Sequence, residues 1–227
     1  MTVEDYKNGQ VLLIDKPLKW TSFQVVNKIR WAIKQQFNLK KIKVGHAGTL
    51  DPLATGLLIL CTGKFTKKIN EFQAQVKEYT GTFTVGATTP SYDLETGIDH
   101  YFKTDHLTDE VIYNTTKQFI GEIEQKPPVF SALKKDGKRL YELARAGESV
   151  EIKSRKVTVS EFEITKIDLP KIEFRVVCSK GTYIRSLAYD FGKALNSGAH
   201  LSALRRTKIG EFNVENAQRI DSFLDTI

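Results

Sequence analysis

The chain lacks what would send it out of the cell or into a membrane. No apolar run approaches 18 residues, and the opening MTVEDYKNGQ has no apolar stretch of the kind found in export leaders. Neither a membrane span nor a secretory leader is therefore expected, and the cytoplasm is the expected location. Cysteine is scarce: Cys61 and Cys178 both lie in apolar, strand-like runs. Without metal-ligand spacing they read as reduced core thiols rather than ligands or a disulfide framework. The four histidines, His46, His100, His106 and His200, add no convincing ligand cluster, and His100 and His106 sit in a polar connection as ordinary surface residues. No metal and no cofactor is expected. No repeat with a period of 20 to 50 residues and no low-complexity tract is visible, which sets aside solenoids and blades.

What remains is an ordinary globular composition with a basic bias. The 227 residues, 41% of them hydrophobic, suffice for one large domain or two small ones. A net charge of +7 favours an acidic partner such as nucleic acid. Val11–Ile14 reads as a short buried strand, and Thr21 with Gln24 forms a capping box for a helix of about four turns. Phe23, Val26, Ile29, Ile33 and Phe37 mark its apolar face. Residues 65–75 read as a short helix, and residues 78–86 alternate, with Tyr79, Gly81, Phe83 and Val85 on one face. Thr108 caps a helix ending near Gly121, and Pro127-Pro128 reads as the stop of a preceding helix. Ile172, Phe174, Val176 and Cys178 alternate as a half-buried strand. Ile184, Leu187, Ala188, Phe191 and Leu195 then recur at helical spacing. Strands mixed with helices, with no regular βαβ alternation, predict an α+β fold with a mainly antiparallel sheet.

The chain is organised around Val44–Leu60, VGHAGTLDPLATGLLIL. Gly45 and Gly48 open backbone conformations that let the main chain approach a ligand closely. Pro52 pushes Asp51 away from helical angles, and Leu57–Cys61 reads as a buried strand anchoring the loop. Local chemistry leaves two readings of Asp51. Asp-Pro is a common turn former, and a carboxylate on an anchored glycine-rich loop is also a nucleophile or base. Three basic patches surround this centre. Lys34, Lys40, Lys41 and Lys43 lead into the loop. Lys126, Lys134, Lys135, Lys138 and Arg139 lie in QKPPVFSALKKDGKRLYELARAG with Phe130 and Tyr141 interleaved. Arg205, Arg206 and Lys208 lie near the end. Basic residues interleaved with aromatics suit RNA, although a solvated loop followed by a helix over Arg139–Ala146, capped by Gly147, fits the same residues. Taken alone, Arg185 reads as a surface or helix-N-terminal arginine.

GHAGTLDPLATGLL resembles the signature of the TruB family of pseudouridine synthases, which isomerise uridine in the T loop of tRNA. Lys16-Pro17 with Thr21-Ser22, Lys77-Glu78-Tyr79, CSKGTYIRSL and GAHLSALRRT are similar to further motifs of that family, so the resemblance runs over roughly residues 9–215. It implies the pseudouridine synthase fold in a single catalytic domain over 1–227, with a basic thumb insertion at about 125–150. Few residues follow the last motif, leaving no room for a full C-terminal PUA domain. It also implies isomerisation of uridine 55 without a cofactor, by a monomer acting on the T arm of tRNA after base flipping. Asp51 would be the nucleophile, Arg185 its partner, and Tyr79 the ring stacked on the target base. Tyr183, Leu204, His46 and Lys16 would complete the substrate pocket. Lys126, Lys134, Lys135, Lys138, Arg139 and Arg205 would contact RNA. One residue departs from the pattern: Lys19 stands where the family usually has glycine. Two other classes remain in view. One is a non-catalytic RNA-binding or tRNA-folding module using the same groove. The other is an Asp-nucleophile hydrolase, which would need a second carboxylate placed about 5 to 9 Å from the first.

Overall fold

Capping and alternation decide where the elements fall. The computed structural model describes residues 1–131, 134–135, 138–139 and 152–227. The helix expected over 139–146 and its cap at Gly147 lie outside the described residues, as does Tyr141. By internal contacts the chain divides into two units, Met1–Thr80 with Leu204–Ile227, and Gly81–Ala203. Described strands β4 (Lys77–Val85) and β8 (Ala199–Ile209) contribute residues to both.

In the first unit, β1 (Val11–Lys16) pairs antiparallel with β3 (Ala54–Thr62), from Val11 opposite Cys61 to Lys16 opposite Gly56. The short strand β2 (Val44–His46) pairs antiparallel with the far part of β3, while β8 runs parallel to its start. Strand order here is Gln218–Arg219, β1, β3, β8, β4. Leu58 and Leu60 face one apolar cluster with Ile14, Ile29 and Phe223; Leu57, Ile59 and Cys61 face another with Ala47 and Ile209. Burial on both faces explains why β3 reads as an uninterrupted apolar run rather than an alternating one.

Helix α2 (Ser22–Gln36) closes one of these clusters together with α1 (Val3–Asn8) and α6 (Ile220–Thr226). Its capping box forms as the sequence predicts. Gln24 N–H donates to Thr21 Oγ1 at 3.1 Å, and Thr21 N–H donates to Gln24 Oε1 at 2.7 Å. Val25, Val26, Ile29, Ala32 and Ile33 are buried, but Phe23 is 62% exposed. At 3.6 residues per turn Phe23 lies about 120° around the helix from Ile29, off the buried arc. Helix α3 (Ile69–Ala74), preceded by a 3₁₀ turn, fills the expected place after β3.

In the second unit, β6 (Arg155–Asp168) and β7 (Lys171–Cys178) form a long antiparallel pair, and β5 (Gly121–Gln125) pairs antiparallel with the other edge of β6. Strand order here is β8, β4, β7, β6, β5. Helices α4 (Asp109–Thr116) and α5 (Ile184–Ala194) belong to this unit. Phe83 stacks on Phe174 with ring centroids 4.0 Å apart, and Phe162 and Phe191 meet Phe83 at 6.2 and 5.6 Å. The face expected for α5, Ile184, Leu187, Ala188, Phe191 and Leu195, is buried throughout. One expectation needs correction. Pro127-Pro128 follow strand β5, not a helix. The helical path ends in the tight turn Lys117–Phe119, and Gly121 at φ +101° redirects the chain into pairing with β6. Both cysteines are buried and outside any disulfide, and burial pushes the Cys61 thiol up to about 11. The architecture is α+β, with a mainly antiparallel sheet flanked by helices.

Lys19 explains its own departure from the family pattern, because its φ is +66°, the left-handed region where glycine is at ease. For an L-residue that conformation costs about 1 kcal/mol, and glycine would lose roughly half of this advantage through its freer unfolded chain. Lys19→Gly is therefore expected to stabilise the protein by about 0.5 kcal/mol in urea unfolding, and Lys19→Val to destabilise it by more than about 1 kcal/mol. A valine variant as stable as the wild type would refute this account of the turn.

Candidate active site

The loop carrying Asp51 is held at nearly every residue. Ala47 N–H donates to Ile59 O at 2.9 Å, and Ala54 N–H to Asp51 O at 3.1 Å. The buried Ser22 hydroxyl donates to Leu50 O at 3.0 Å and accepts from Leu50 N–H at 2.9 Å. Lys19 N–H donates to Pro52 O at 2.8 Å, so the left-handed turn directly fixes the residue after Asp51. Asp51 itself is half-buried on this pinned turn.

The closing sequence motif reaches the loop through strand pairing. Parallel register sets Leu204 opposite Ala54, Arg205 opposite Thr55 and Arg206 opposite Gly56. Gly56 (φ +103°) has no room for a side chain, since a Cβ there would stand 2.3 Å from Arg206 O. Arg206 is 1% exposed. Its guanidinium donates to Leu57 O at 2.8 Å and to Gly48 O at 3.1 Å, tying the glycine loop to β3. It is therefore no part of a surface basic patch, which corrects the expectation from sequence. Arg205 is occupied too, in a two-pronged pair with Asp15 at 3.0 and 2.7 Å, though its side chain stays 40% exposed. Further along β8, the Thr207 hydroxyl donates to Glu78 O at 3.2 Å and to Glu78 Oε1 at 2.8 Å, beside the buried Tyr79.

Two titratable groups share this interior. Lys16 is wholly buried and donates to Pro17 O at 2.9 Å and Trp20 O at 2.7 Å. Its pKa is lowered to about 8, chiefly by burial; Asp51 opposes the shift, Arg206 adds to it, and Asp15 opposes it weakly. Burial, then the Arg206 charge, also hold His46 below its ordinary 6.5, leaving a neutral imidazole at pH 7.

The second unit holds its own group. Arg185, in the first turn of α5, is 4% exposed, which rules out the surface arginine that local reading suggested. Its Nη1 donates to Phe130 O at 2.9 Å and Ser91 O at 3.3 Å, and its Nε lies 3.6 Å from Oδ2 of the buried Asp93. Tyr183 is gripped by the fully buried Gln125, which accepts from Tyr183 N–H at 2.7 Å and donates to Tyr183 O at 3.0 Å. The Arg155 guanidinium lies 4.6 Å from the Tyr183 ring centroid. Lys126 is exposed, and its carbonyl accepts from Ser186 Oγ at 2.7 Å. Lys134 and Lys135 pair antiparallel with Arg139 and Lys138, so four of the expected RNA contacts sit on one hairpin. Sequence reading missed Asp93, Gln125 and Arg155. Asp93 lies in an ordinary polar run, and the others become meaningful only beside Arg185 and Tyr183.

Among the described residues no group of three His, Cys, Asp or Glu gathers in a metal-ligating arrangement, and no helix is long and apolar enough to cross a membrane. A half-buried aspartate on a pinned glycine loop, with the LRRT segment paired beside it, fits the uridine-isomerising class of enzyme. The chain belongs to the TruB family. The family model "TruB family pseudouridylate synthase (N terminal domain)" matches residues 34–184, and "tRNA pseudouridylate synthase B C-terminal domain" matches residues 185–227. It is 69% identical to "tRNA pseudouridine synthase B" of Flavobacterium johnsoniae, over 100% of both chains. It is 58% identical to the protein of that name from Phocaeicola vulgatus, over 96% of this chain and 93% of the relative. Among solved structures it is similar to a chain of a Cbf5-Nop10-Gar1 complex, with a TM-score of 0.72 and 30% identity, covering 99% of this chain and 56% of that one. A chain of an H/ACA RNP bound to a substrate RNA containing 2′-deoxyuridine gives a TM-score of 0.71 and 29% identity, covering 99% and 55%. This chain thus spans a little over half the length of those two.

Lys16 provides a pH test. Its pKa is about 8 when folded, against 10.5 ordinarily. Between those values the unfolded chain holds a proton that the native state lacks, so stability from this group rises with pH across the window. The unfolding free energy of the wild type minus that of Lys16→Met should climb between pH 8 and 10, by at most roughly 1.4 kcal/mol per pH unit. A constant difference in urea unfolding over that range would refute the lowered pKa.

Proposed function

We propose that this protein converts uridine 55 in the T loop of tRNA to pseudouridine, with Asp51 as the nucleophile. The observation that carries this reading is the parallel pairing of Leu204–Arg206 with Ala54–Gly56, which sets the closing motif against the strand anchoring the Asp51 loop. The reaction breaks the N1–C1′ bond, turns the uracil and joins C5 to C1′. The C5 proton leaves and N1 gains one, so the step balances without oxidant or reductant. The uridine leaves its stack at a cost of a few kcal/mol. Tyr79 stacks on the extruded base, Tyr183 and Leu204 wall the pocket, and His46 occupies or buttresses the space left in the RNA. Arg185 partners Asp51 and orients its carboxylate. Lys16, pinned by two carbonyls and coupled to Asp51, supplies a fixed positive charge to the same pocket. The hairpin carrying Lys134, Lys135, Lys138 and Arg139 acts as a thumb on the phosphates with Lys126, and the exposed part of Arg205 adds a further contact. The protein works as a cytoplasmic monomer.

Asp51→Asn keeps the shape of the side chain and removes its charge. Conversion of a tRNA transcript, followed by release of tritium from uridine C5, should fall below a hundredth of the wild-type rate. Affinity for the transcript should change by less than about tenfold, about 1.4 kcal/mol. Residual conversion above that level would exclude Asp51 as nucleophile. A wild type that binds tRNA without converting it would instead favour an RNA-folding module, and release of free uracil would favour a hydrolase.

A further inference from the structure

Helix α2 has a face that the core does not use. Relative to Ile29, the centre of its buried arc, Gln24, Asn27 and Trp31 fall within about 40° of the opposite pole, while Trp20, before the N-cap, is partly buried against the core. With Lys28 they line an open groove of about 390 Å³. Trp31 is 54% exposed, and the Lys28 ammonium lies 5.0 Å from its ring centroid. Exposed indole surface set among polar side chains offers a flat face on which a ring can stack.

The polar chemistry of the groove runs one way. Gln24 Oε1 accepts from Thr21 N–H at 2.7 Å and from the Thr21 hydroxyl at 3.0 Å, and Asn27 Oδ1 accepts from Arg30 Nη2 at 2.5 Å. A backbone N–H and a guanidinium can only donate, so both amide oxygens are fixed in those bonds and both amide nitrogens are left over. With the Lys28 ammonium and the indole N–H groups, the polar groups these side chains still offer are mainly donors. The surrounding charge agrees. Lys19, Lys28, Arg30, Lys34, Lys40, Lys41 and Lys43 lie between residues 17 and 50, and no acid does.

A flat indole face, a preponderance of donors and a basic segment without acids describe a ligand that is flat, rich in acceptors and anionic. We propose that this groove binds an unpaired, carbonyl-bearing nucleotide of the tRNA, away from the reacting uridine. The base stacks on an indole, its ring carbonyls take the amide N–H groups, and a phosphate meets Lys28. An acidic peptide would engage Lys28 but leave the indole faces and amide donors unused. The inference rests on tRNA being the substrate.

The test is an affinity series on an unmodified tRNA transcript with Trp31→Ala, Trp31→Phe, Trp31→Leu and Lys28→Ala. Trp31 is exposed, so these variants fold. Trp31→Ala should weaken binding about five- to a hundredfold, the loss expected for one stacked base. Trp31→Phe should restore most of the affinity and Trp31→Leu should not, because stacking rather than apolar area is what counts. Lys28→Ala should lower the slope of log affinity against log salt by about one contact, 0.7 to 0.9. Turnover at saturating tRNA should stay at the wild-type level in all four. Wild-type affinity in Trp31→Ala, or equal affinity for the leucine and phenylalanine variants, would overturn the proposal and leave the face to a protein partner. The two readings fail separately: a wild type that does not bind tRNA removes the substrate, whereas a wild type that binds with no trend across the series removes only the groove.

Discussion

The first unit depends on one buried cation. Arg206 stands inside the sheet and spends its guanidinium on two backbone carbonyls, Leu57 O in β3 and Gly48 O in the glycine loop. A planar fork reaches two acceptors on separate segments at fixed angles, and a lysine ammonium on a flexible stem does not hold that geometry. The register that delivers Arg206 requires Gly56, because the backbone of Arg206 fills the space where any side chain would stand. Loop, strand and closing motif are therefore one mechanical piece. Asp51 sits on the part of it pinned from the other side by Ser22 and Lys19.

That clamp also sets the local electrostatics. An arginine does not lose its proton in a protein, so its charge is constant, and both titratable neighbours respond to it. Burial is the largest influence on both Lys16 and His46, Arg206 adds to it in each case, and both move toward their neutral forms. Asp51 pulls Lys16 the other way and favours its ammonium form. The buried Arg185 and Asp93 repeat the principle in the second unit. A charge taken out of water is kept beside an opposite charge and two carbonyls, since a lone buried charge would cost several kcal/mol.

The elements were largely legible in the sequence, because each rests on a local signal. The Thr21 capping box, the alternation over 172–178 and the apolar spacing of α5 fall where expected. The motif around Asp51 also gave the loop and its anchoring strand. What was illegible depends on residues far apart in the chain. Arg185 meets Ser91 across 94 positions and Tyr183 meets Gln125 across 58, and no local pattern marks either partner. Arg206 was misread for a related reason. In sequence an arginine beside another arginine looks solvated, and only the register with β3 shows that neighbouring residues of one strand point to different surroundings. Phe23 and Pro127-Pro128 failed more simply, the first by lying at the edge of a helical arc and the second by following a strand.

Helix α2 joins these levels. Its first residue, Ser22, grips Leu50, and the turn before it grips Pro52, so the start of the helix is part of the support for Asp51. Its buried arc packs on Leu58 and Leu60 of the same strand that Arg206 clamps. A rigid element tied at both places cannot shift without moving the loop. A nucleotide held on its outer face would thus be read at a fixed distance from the carboxylate. A stacking contact there can set the register of the RNA while taking no part in the chemistry, and such a contact contributes to affinity without changing turnover at saturation.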